Sequence, residues 1–519
     1  VMWMWRTRLC AVVVSLCLAA AGTASAGEGD TAEEKAVPAE SSGTGRLRLT
    51  VEDAVIMALD HNRAFMVERL TPSILETLEE EARAVFDPVV DGGVSFSREK
   101  GPLATGPETT TDSAVDVDLG ASVFYPTGTT LGLDLAARRA WTDRTRNRYT
   151  TRAGLSITQA LLRGRGLEVN LAALRQAELG TRASFYELRG VAEALAAGAE
   201  ELYWDTVLAR RQLQIFEESV KLAEQELEET REIIRVGRMA ETELVAAEAE
   251  IALRRQELIE ARNILAETRL RFLRVINPPG PNLWDRDLEM LDRPAAPDIP
   301  VDPVADHVAV ALRMRPDLNQ ARLDEENGRL EVVRTKNGLL PRLDVFAALG
   351  KTGYADSLSR SVDDLSGDHY DALAGLRFEF PVGNRERQAR HLRATLSREQ
   401  LREAMNNLSQ LVELDVRTAY LAVQSAREQI EASRASRQLE EEKVRIETER
   451  FRVGRSTSFL VAQAQRDLVR SRILEISAVV DHLKALVDLH RLDGSLLERW
   501  GIQTPGVDPT QPVLPPDPQ

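Results

Sequence analysis

Along this chain the spacing of apolar residues moves from a helical period to a period of two, and back. Val55, Ile56, Leu59 and Val67 predict a helical stretch that Thr50 caps and Phe86-Asp87-Pro88 ends. Between 89 and 160, Val115, Val117, Leu119, Ala121 and Val123 alternate with Asp116, Asp118, Gly120 and Ser122. Leu155 and Ile157 alternate with Ser156 and Thr158. Period two predicts strands with one apolar and one polar face, and Tyr125-Pro126-Thr127-Gly128 predicts a turn between two of them. A proline-free helical pattern then runs from Gly166 to Val236, roughly 70 residues or about 105 Å at 1.5 Å per residue. It carries a heptad stripe at Leu213, Val220, Leu227 and Ile234. Gly237 is placed to end it in a left-handed conformation, and a shorter helix is predicted from Thr242 to Val275.

The same order then recurs. A helix is predicted from Asp302-Pro303 to about Asn337. Leu343, Val345, Ala347 and Leu349 form one strand face. Ala372, Ala374, Leu376, Phe378 and Phe380 form another, opposite Arg377 and Glu379. A second long helix covers about 385–452, with a stripe at Leu439, Ile446 and Val453, and a return helix runs from Ser458 to Arg491. The register that lays Pro88 on Pro341 also lays Ala58-Leu59 on Ala311-Leu312 and Asp91 on Asp344. A second register lays Arg235-Val236-Gly237-Arg238 on Arg452-Val453-Gly454-Arg455. The chain is therefore a duplication of one strand–long-helix unit. In each copy two shorter helices, stacked end to end, match one long helix. This predicts a tall helical wall with strands at one end.

Composition narrows the setting. Arg6 and Arg8 precede an apolar run from Leu9 to Ala21, and Ala24-Ser25-Ala26 offers a cleavage site, so residues 1–26 are expected to be a signal peptide. Cys10 and Cys17 both lie within it, leaving no disulfide, thiolate or cysteine metal site beyond. The net charge of −16 argues against nucleic-acid binding. No later segment has the length and apolarity of a membrane helix, so membrane residence would require a β-barrel. The expected organisation continues with a flexible lead-in at 27–46, a first repeat at 47–280 and a Pro-rich connector at 281–303. A second repeat at 304–495 and a disordered tail at 496–519 complete it.

Candidate chemistry is sparse. His61, His307, His369, His391, His482 and His490 make no pair at helix-ligand spacing and are read as solvated side chains. Gly164-Arg165-Gly166 lacks the Lys-Ser/Thr ending of a phosphate loop. The acids Glu224, Glu226, Glu228 and Glu229 read as a solvated helix face. No nucleophile–base constellation stands out; no enzyme, metal or cofactor is expected.

Four places resemble the TolC-type outer membrane efflux protein family. Ala58-Leu59 with Asn62, and Ala311-Leu312 with Arg315-Pro316-Asp317-Leu318, resemble its opening-helix signature. Leu340-Pro341 resembles the strand entry. Ser156-Ile157-Thr158-Gln159-Ala160-Leu161-Leu162 with Gly164 and Asn170, and Phe380-Pro381 with Gly383, resemble the strand exit. Gly237 to Ala247 and Gly454 to Ala464 resemble the turns of the two helical hairpins.

The resemblance implies an α+β membrane protein: a homotrimer whose β-barrel crosses the outer membrane lipid bilayer and whose α-helical barrel reaches into the periplasm. It implies a passive export duct in a tripartite efflux or type I secretion system, working with a periplasmic adaptor and an inner-membrane transporter. It places Val236, Gly237, Arg238, Val453, Gly454 and Arg455 at an adaptor-contacting tip. Arg238 and Arg455 replace a leucine frequent in the family, and Leu460 and Gln463 stand where gate acids are expected. Phe451 replaces a tyrosine, which leaves Glu243 and Phe451 as the gate candidates. Two strands per copy would give twelve in a trimer, with 113–137 as an extra hairpin extending outside the barrel core; counting that hairpin as barrel strands would give six per chain and eighteen in a trimer. The alternative is a periplasmic coiled-coil adaptor or structural protein; one hairpin between globular β segments would favour it.

Overall fold

Repeated short-range signals build the helical wall. The computed structural model describes residues 46–102, 109–143, 147–237, 240–297, 300–453 and 455–503. The expected signal peptide, all but the last residue of the lead-in, Arg238, Gly454 and residues 504–519 lie outside the described residues. β1 (Leu47–Leu49) leads into α1 (Val51–His61), where Thr50 and Asp53 form a reciprocal capping box. α2 (Arg63–Glu68) and α3 (Thr71–Arg83) follow. Four strands come next: β2 (Val89–Pro102), β3 (Thr109–Tyr125), β4 (Thr129–Thr142) and β5 (Arg148–Ala160). A single turn, α4 (Leu167–Asn170), precedes the 64-residue α5 (Ala172–Arg235) and α6 (Thr242–Ile276). The second copy begins after β6 (Leu288–Met290). It comprises α7 (Val304–Met314), α8 (Pro316–Gly338), β7 (Arg342–Ala355), α9 (Leu358–Asp363), β8 (Tyr370–Glu379), the 68-residue α10 (Arg385–Arg452) and α11 (Ser458–Leu492). α12 (Leu496–Arg499) closes the order.

Each long helix is matched by two stacked partners. α5 packs along α1–α3 and then α6, while α10 packs along α7–α8 and then α11. The wall reads α6–α5–α11–α10 at one end and α3–α5–α8–α10 at the other. The helix expected from Thr50 to Ala84 is nevertheless broken, as is the one before β7. Asn62 N–H donates to the Ala58 carbonyl and Arg315 N–H to the Ala311 carbonyl, each at 3.0 Å. Both residues then turn to extended backbone, at ψ 122° and 124°. In the first copy the Asn62 side chain caps α2 by accepting from Phe65 N–H. In the second, Pro316 forces the residue before it out of helix. Ala58 and Ala311 are both fully buried against the long helices, which explains why that dipeptide repeats.

The main core joins the two copies. Tyr203, Trp204 and Val207 of α5 meet Phe272, Leu273 and Ile276 of α6, Leu49 of β1, Leu288 of β6 and Val480 of α11. β1 and β6 pair in parallel, so the predicted connector at 281–303 is part of a small sheet. Asp292 at its end accepts from Val51 N–H at 2.8 Å and so caps α1 from a distance. The tail expected from 496 is folded at its start: Leu496 and Leu497 are buried against Val55, Leu59 and Leu188.

The histidines also depart from the solvated reading. His307 and His482 are buried, because the duplication packs α7 and α11 into the interior of the wall. The two heptad stripes differ as well. Val220 and Leu227 are buried, with Leu227 packed against Ile251 of α6. Leu439 and Val453 stay 72% and 68% exposed in the single chain.

Strands β2-β3-β4-β5-β7-β8 form one antiparallel meander. The segment 113–137, expected to project from the barrel core, is instead built into the middle of the sheet, paired on both sides as β3 and β4. Its alternation explains this. Val117 and Leu119 stand on the same apolar face as Val94 of β2, Leu133 of β4 and Ile157 of β5, and a projecting hairpin would give that face no sheet to extend.

One buried acid gives the fold a pH dependence. Burial on α5 pushes the Glu200 carboxyl up to about 7, against the opposing effect of the Trp204 and Trp500 indoles. A carboxyl raised on folding stabilises fully below its unfolded value of 4.5, and that contribution is lost as pH rises through about 7. Stability should therefore fall between pH 5 and pH 8. Glu200→Gln should reduce that fall, to which Glu193, pushed up to about 8 by burial, also contributes, and should raise stability at pH 8 by roughly 3 kcal/mol, at about 1.4 kcal/mol per pH unit. Denaturant midpoints of both proteins across this range provide the measurement.

Candidate functional site: the hairpin tip and the polar sheet face

The two helical hairpins turn in closely similar ways. At the end of α5, Val236 N–H donates to Glu232 O at 3.2 Å and Gly237 N–H to Ile234 O at 2.8 Å. Gly237 has φ +76°, a left-handed geometry that a β-branched residue would strain. At the end of α10, Val453 N–H donates to Glu449 O and Arg455 N–H reaches back to Arg450 O at 2.8 Å. Thr457 caps α11 by accepting from Leu460 N–H. Val236 and Val453 are both mostly exposed, so each turn carries an unburied apolar residue at its apex.

Several polar bridges join one hairpin to the other below the turns. Ser458 of α11 donates to the Glu243 carboxylate of α6. Gln465 donates to Glu226 of α5. Arg466 donates to Glu250 of α6 at 2.6 Å, and its guanidinium sits 5.8 Å from the Phe459 ring. Arg254, itself buried, holds the other oxygen of Glu250 at 2.9 Å. Burial raises the Glu226 pKa against the pull of Gln465. Beside these bridges lies a groove of about 590 Å³, lined by Thr230 and Ile233 of α5, Phe451 and Val453 of α10, and Ser458 and Val461 of α11. Phe451 lines this groove, and Glu243, which does not, is connected to it through Ser458. Sequence reasoning missed Ser458, Gln465, Arg466, Glu226 and Glu250, because their pairing depends on how α5, α6 and α11 slide against one another.

The sheet has two chemically distinct faces. Val94, Leu133, Leu155, Leu349, Leu376 and Phe378 are exposed on one of them. The other carries a register row that crosses all six strands: Asp91, Gly120, Asp134, Gly154, Gly350 and Asp371. The three carboxylates lie over the glycines beside them. A Cβ on Gly120 would meet Asp91 Oδ1 at 2.7 Å, one on Gly154 would meet Asp134 Oδ1 at 2.6 Å, and one on Gly350 would meet Asp371 Oδ1 at 2.6 Å. Two residues along, Arg152 bridges Asp134 at 2.7 Å and Asp371 at 2.8 Å. Arg377 and Glu379, singled out from sequence, pair in register with Asp344 and Arg342 on this same face.

A comparison with curated protein sequences finds no significant match. The fold is similar to the Campylobacter jejuni CmeC outer membrane channel, at 16% identity and TM-score 0.65, covering 86% of each chain. It is similar to the open state of the Neisseria gonorrhoeae MtrE outer membrane channel, at 17% identity and TM-score 0.63, covering 86% of this chain and 89% of that one. It is also similar to the outer membrane protein VceC of Vibrio cholerae, at 14% identity and TM-score 0.64, covering 86% and 96%. Residues 308–495, nearly the whole second repeat, match the family model described as outer membrane efflux protein. Residues 308–495 thus match an outer membrane efflux protein model, within a fold similar to that of outer membrane channels.

Proposed function

We propose that this chain is the outer membrane channel subunit of a tripartite efflux or type I secretion system. Three copies form a passive duct that crosses the outer membrane as a barrel and extends into the periplasm as helices. The observation that carries this reading is that the chain is unfinished along both edges. β2 and β8 each have one strand neighbour within the chain. At the wall edges, α6 exposes Val245 and Ile259, while α10 exposes Leu414, Leu421 and Leu439. Two different edges that need covering fit a heterologous, ring-closing contact. β8 runs antiparallel to β2, so the seam between copies continues the meander, and three sheets would close an eighteen-stranded barrel. The strands of 10 to 17 residues are long enough to cross a bilayer, with the apolar face toward lipid and the acidic row toward water.

The tip is where a periplasmic adaptor would act, at Val236, Gly237 and Arg238 of one hairpin and Val453, Gly454 and Arg455 of the other. Glu243 and Phe451 would belong to the gate that the cross-hairpin bridges keep shut. The matched family is one of efflux proteins, so the energy for transport is assigned to an inner-membrane partner. Extracted from membranes in detergent, the protein should have the mass of a trimer and form discrete channels in planar bilayers. A soluble monomer confined to the periplasmic fraction would overturn the reading. Co-purification would name the pump and the adaptor.

A further inference from the structure

One cluster far from both the tip and the sheet brings three ligating side chains together. His307 of α7, His490 of α11 and Asp493 at the end of α11 are the one group of three or more such side chains, among the described residues, whose donor atoms lie within 4.8 Å of one another. His307 and Asp493 are almost completely buried, and His490 is 17% exposed. His307 Nδ1 sits 2.7 Å from Asp493 Oδ2, and His490 Nδ1 faces the same oxygen at 3.8 Å. The His490 Nδ1 atom is buried without a hydrogen-bond partner. A simple buried ion pair needs only one imidazole. The second is aimed at the same oxygen, within ion-pair range but beyond hydrogen-bonding distance.

We propose that His307, His490 and Asp493 form a binding site for a divalent transition-metal ion, with Zn²⁺ as the best fit. Two imidazoles and one carboxylate suit Zn²⁺ and neighbouring ions, and they disfavour Mg²⁺ and Ca²⁺, which prefer all-oxygen shells. Ligand atoms around a tetrahedral Zn²⁺ with bonds of about 2.0–2.1 Å stand roughly 3.3 Å apart. That value falls between the 2.7 and 3.8 Å found here, so small ring rotations suffice. Loading replaces the hydrogen bond between His307 and Asp493, and water reaching the partly exposed His490 side supplies the fourth ligand.

The surroundings hold the carboxylate in place. Asp493 Oδ1 accepts from Ser495 N–H at 2.9 Å. The adjacent Gly494 has φ +72°, lies against the Arg315 backbone, and its carbonyl accepts from Arg189 at 2.9 Å. Such outer contacts orient a ligand before the ion arrives. His490 and Asp493 stand three residues apart at the end of one helix, while His307 joins them only through the packing of α7 beside α11, which no sequence spacing reveals.

The test uses the untagged full-length protein in detergent, treated with chelator, and ZnCl₂ titrated by calorimetry. One Zn²⁺ per chain should bind at micromolar Kd or tighter, excess Mg²⁺ should not compete, and Zn²⁺ should raise Tm. His490→Gln, at the partly exposed position, should keep the fold, weaken Zn²⁺ binding at least tenfold and abolish the Tm shift. His307→Gln should do the same; should it fail to fold, His490→Gln alone decides. No binding below about 100 μM, or binding unchanged in His490→Gln, would overturn the proposal. The outcome does not depend on whether the protein conducts.

Discussion

Replacing Asp91, Asp134 and Asp371 together by asparagine should cut the cation-over-anion permeability ratio of the channel by more than tenfold. Each chain places three carboxylates in one register row, with one bridging guanidinium, Arg152, beside them. A unit charge at about 10 Å in water contributes about 0.4 kcal/mol, and a Debye length near 8 Å reduces this to about 0.1 kcal/mol. With Asp118 in the neighbouring row beside Arg152, three copies around a lumen would carry a surplus of three negative charges per chain at that level. A cation is then favoured over an anion by about 2 kcal/mol, or roughly thirtyfold. The asparagine variant leaves Arg152 and Asp118 to balance each other, so the preference should vanish. Asparagine keeps the shape that lies over Gly120, Gly154 and Gly350, so the sheet should assemble. The reversal potential across a bilayer with asymmetric KCl reads the change directly. An unaltered reversal potential would mean that this face does not line the permeation path.

Removing the three bridges between the hairpins should produce a channel that no longer closes. Ser458→Ala, Gln465→Ala and Arg466→Ala delete the contacts to Glu243, Glu226 and Glu250. A neutral hydrogen bond is worth about 0.5–1.5 kcal/mol net and a charge-assisted one about 1.5–3 kcal/mol. The three share neighbours and will not add fully, yet even about 3 kcal/mol per chain raises the open population by roughly a hundredfold. The expected record is a high resting conductance in bilayers from a trimer of unchanged mass. Unchanged closed-state conductance with the trimer intact would remove these bridges from the gate. Gly237→Val is a useful companion, since it strains the turn at φ +76° without touching any bridge.

Elements whose signal is local were legible in the sequence. Proline-free runs bounded by glycine placed α5, α6, α10 and α11 close to their observed ends. Period-two alternation identified the faces of β3, β7 and β8. What failed depended on partners distant along the chain. β3 and β4 read as a projecting hairpin because pairing of β2 with β3 and of β5 with β7 is not encoded by alternation alone. Leu439 and Val453 continue a heptad stripe in the sequence, yet they lie on the edge helix, where a stripe has no cover within one chain. His307 and His490 looked unrelated because helix-ligand spacing detects pairs on one helix only. At the tip, Glu243 was named only from the resemblance, while its hydrogen-bond partner Ser458 required the relative slide of two hairpins.

The hairpin built into the middle of the sheet bears on how such a protein can change size over evolution. An antiparallel sheet that gains two adjacent strands keeps the direction of every strand outside the insertion. Both edges retain their polarity, and the chain still leaves the sheet on the side where its helices begin. A single added strand would reverse one edge and strand the following helix on the wrong side of the bilayer. Growth of this architecture is therefore quantised by parity: one copy of the duplicated unit can lengthen by a hairpin while the other stays as it was, and a threefold assembly widens in steps of six.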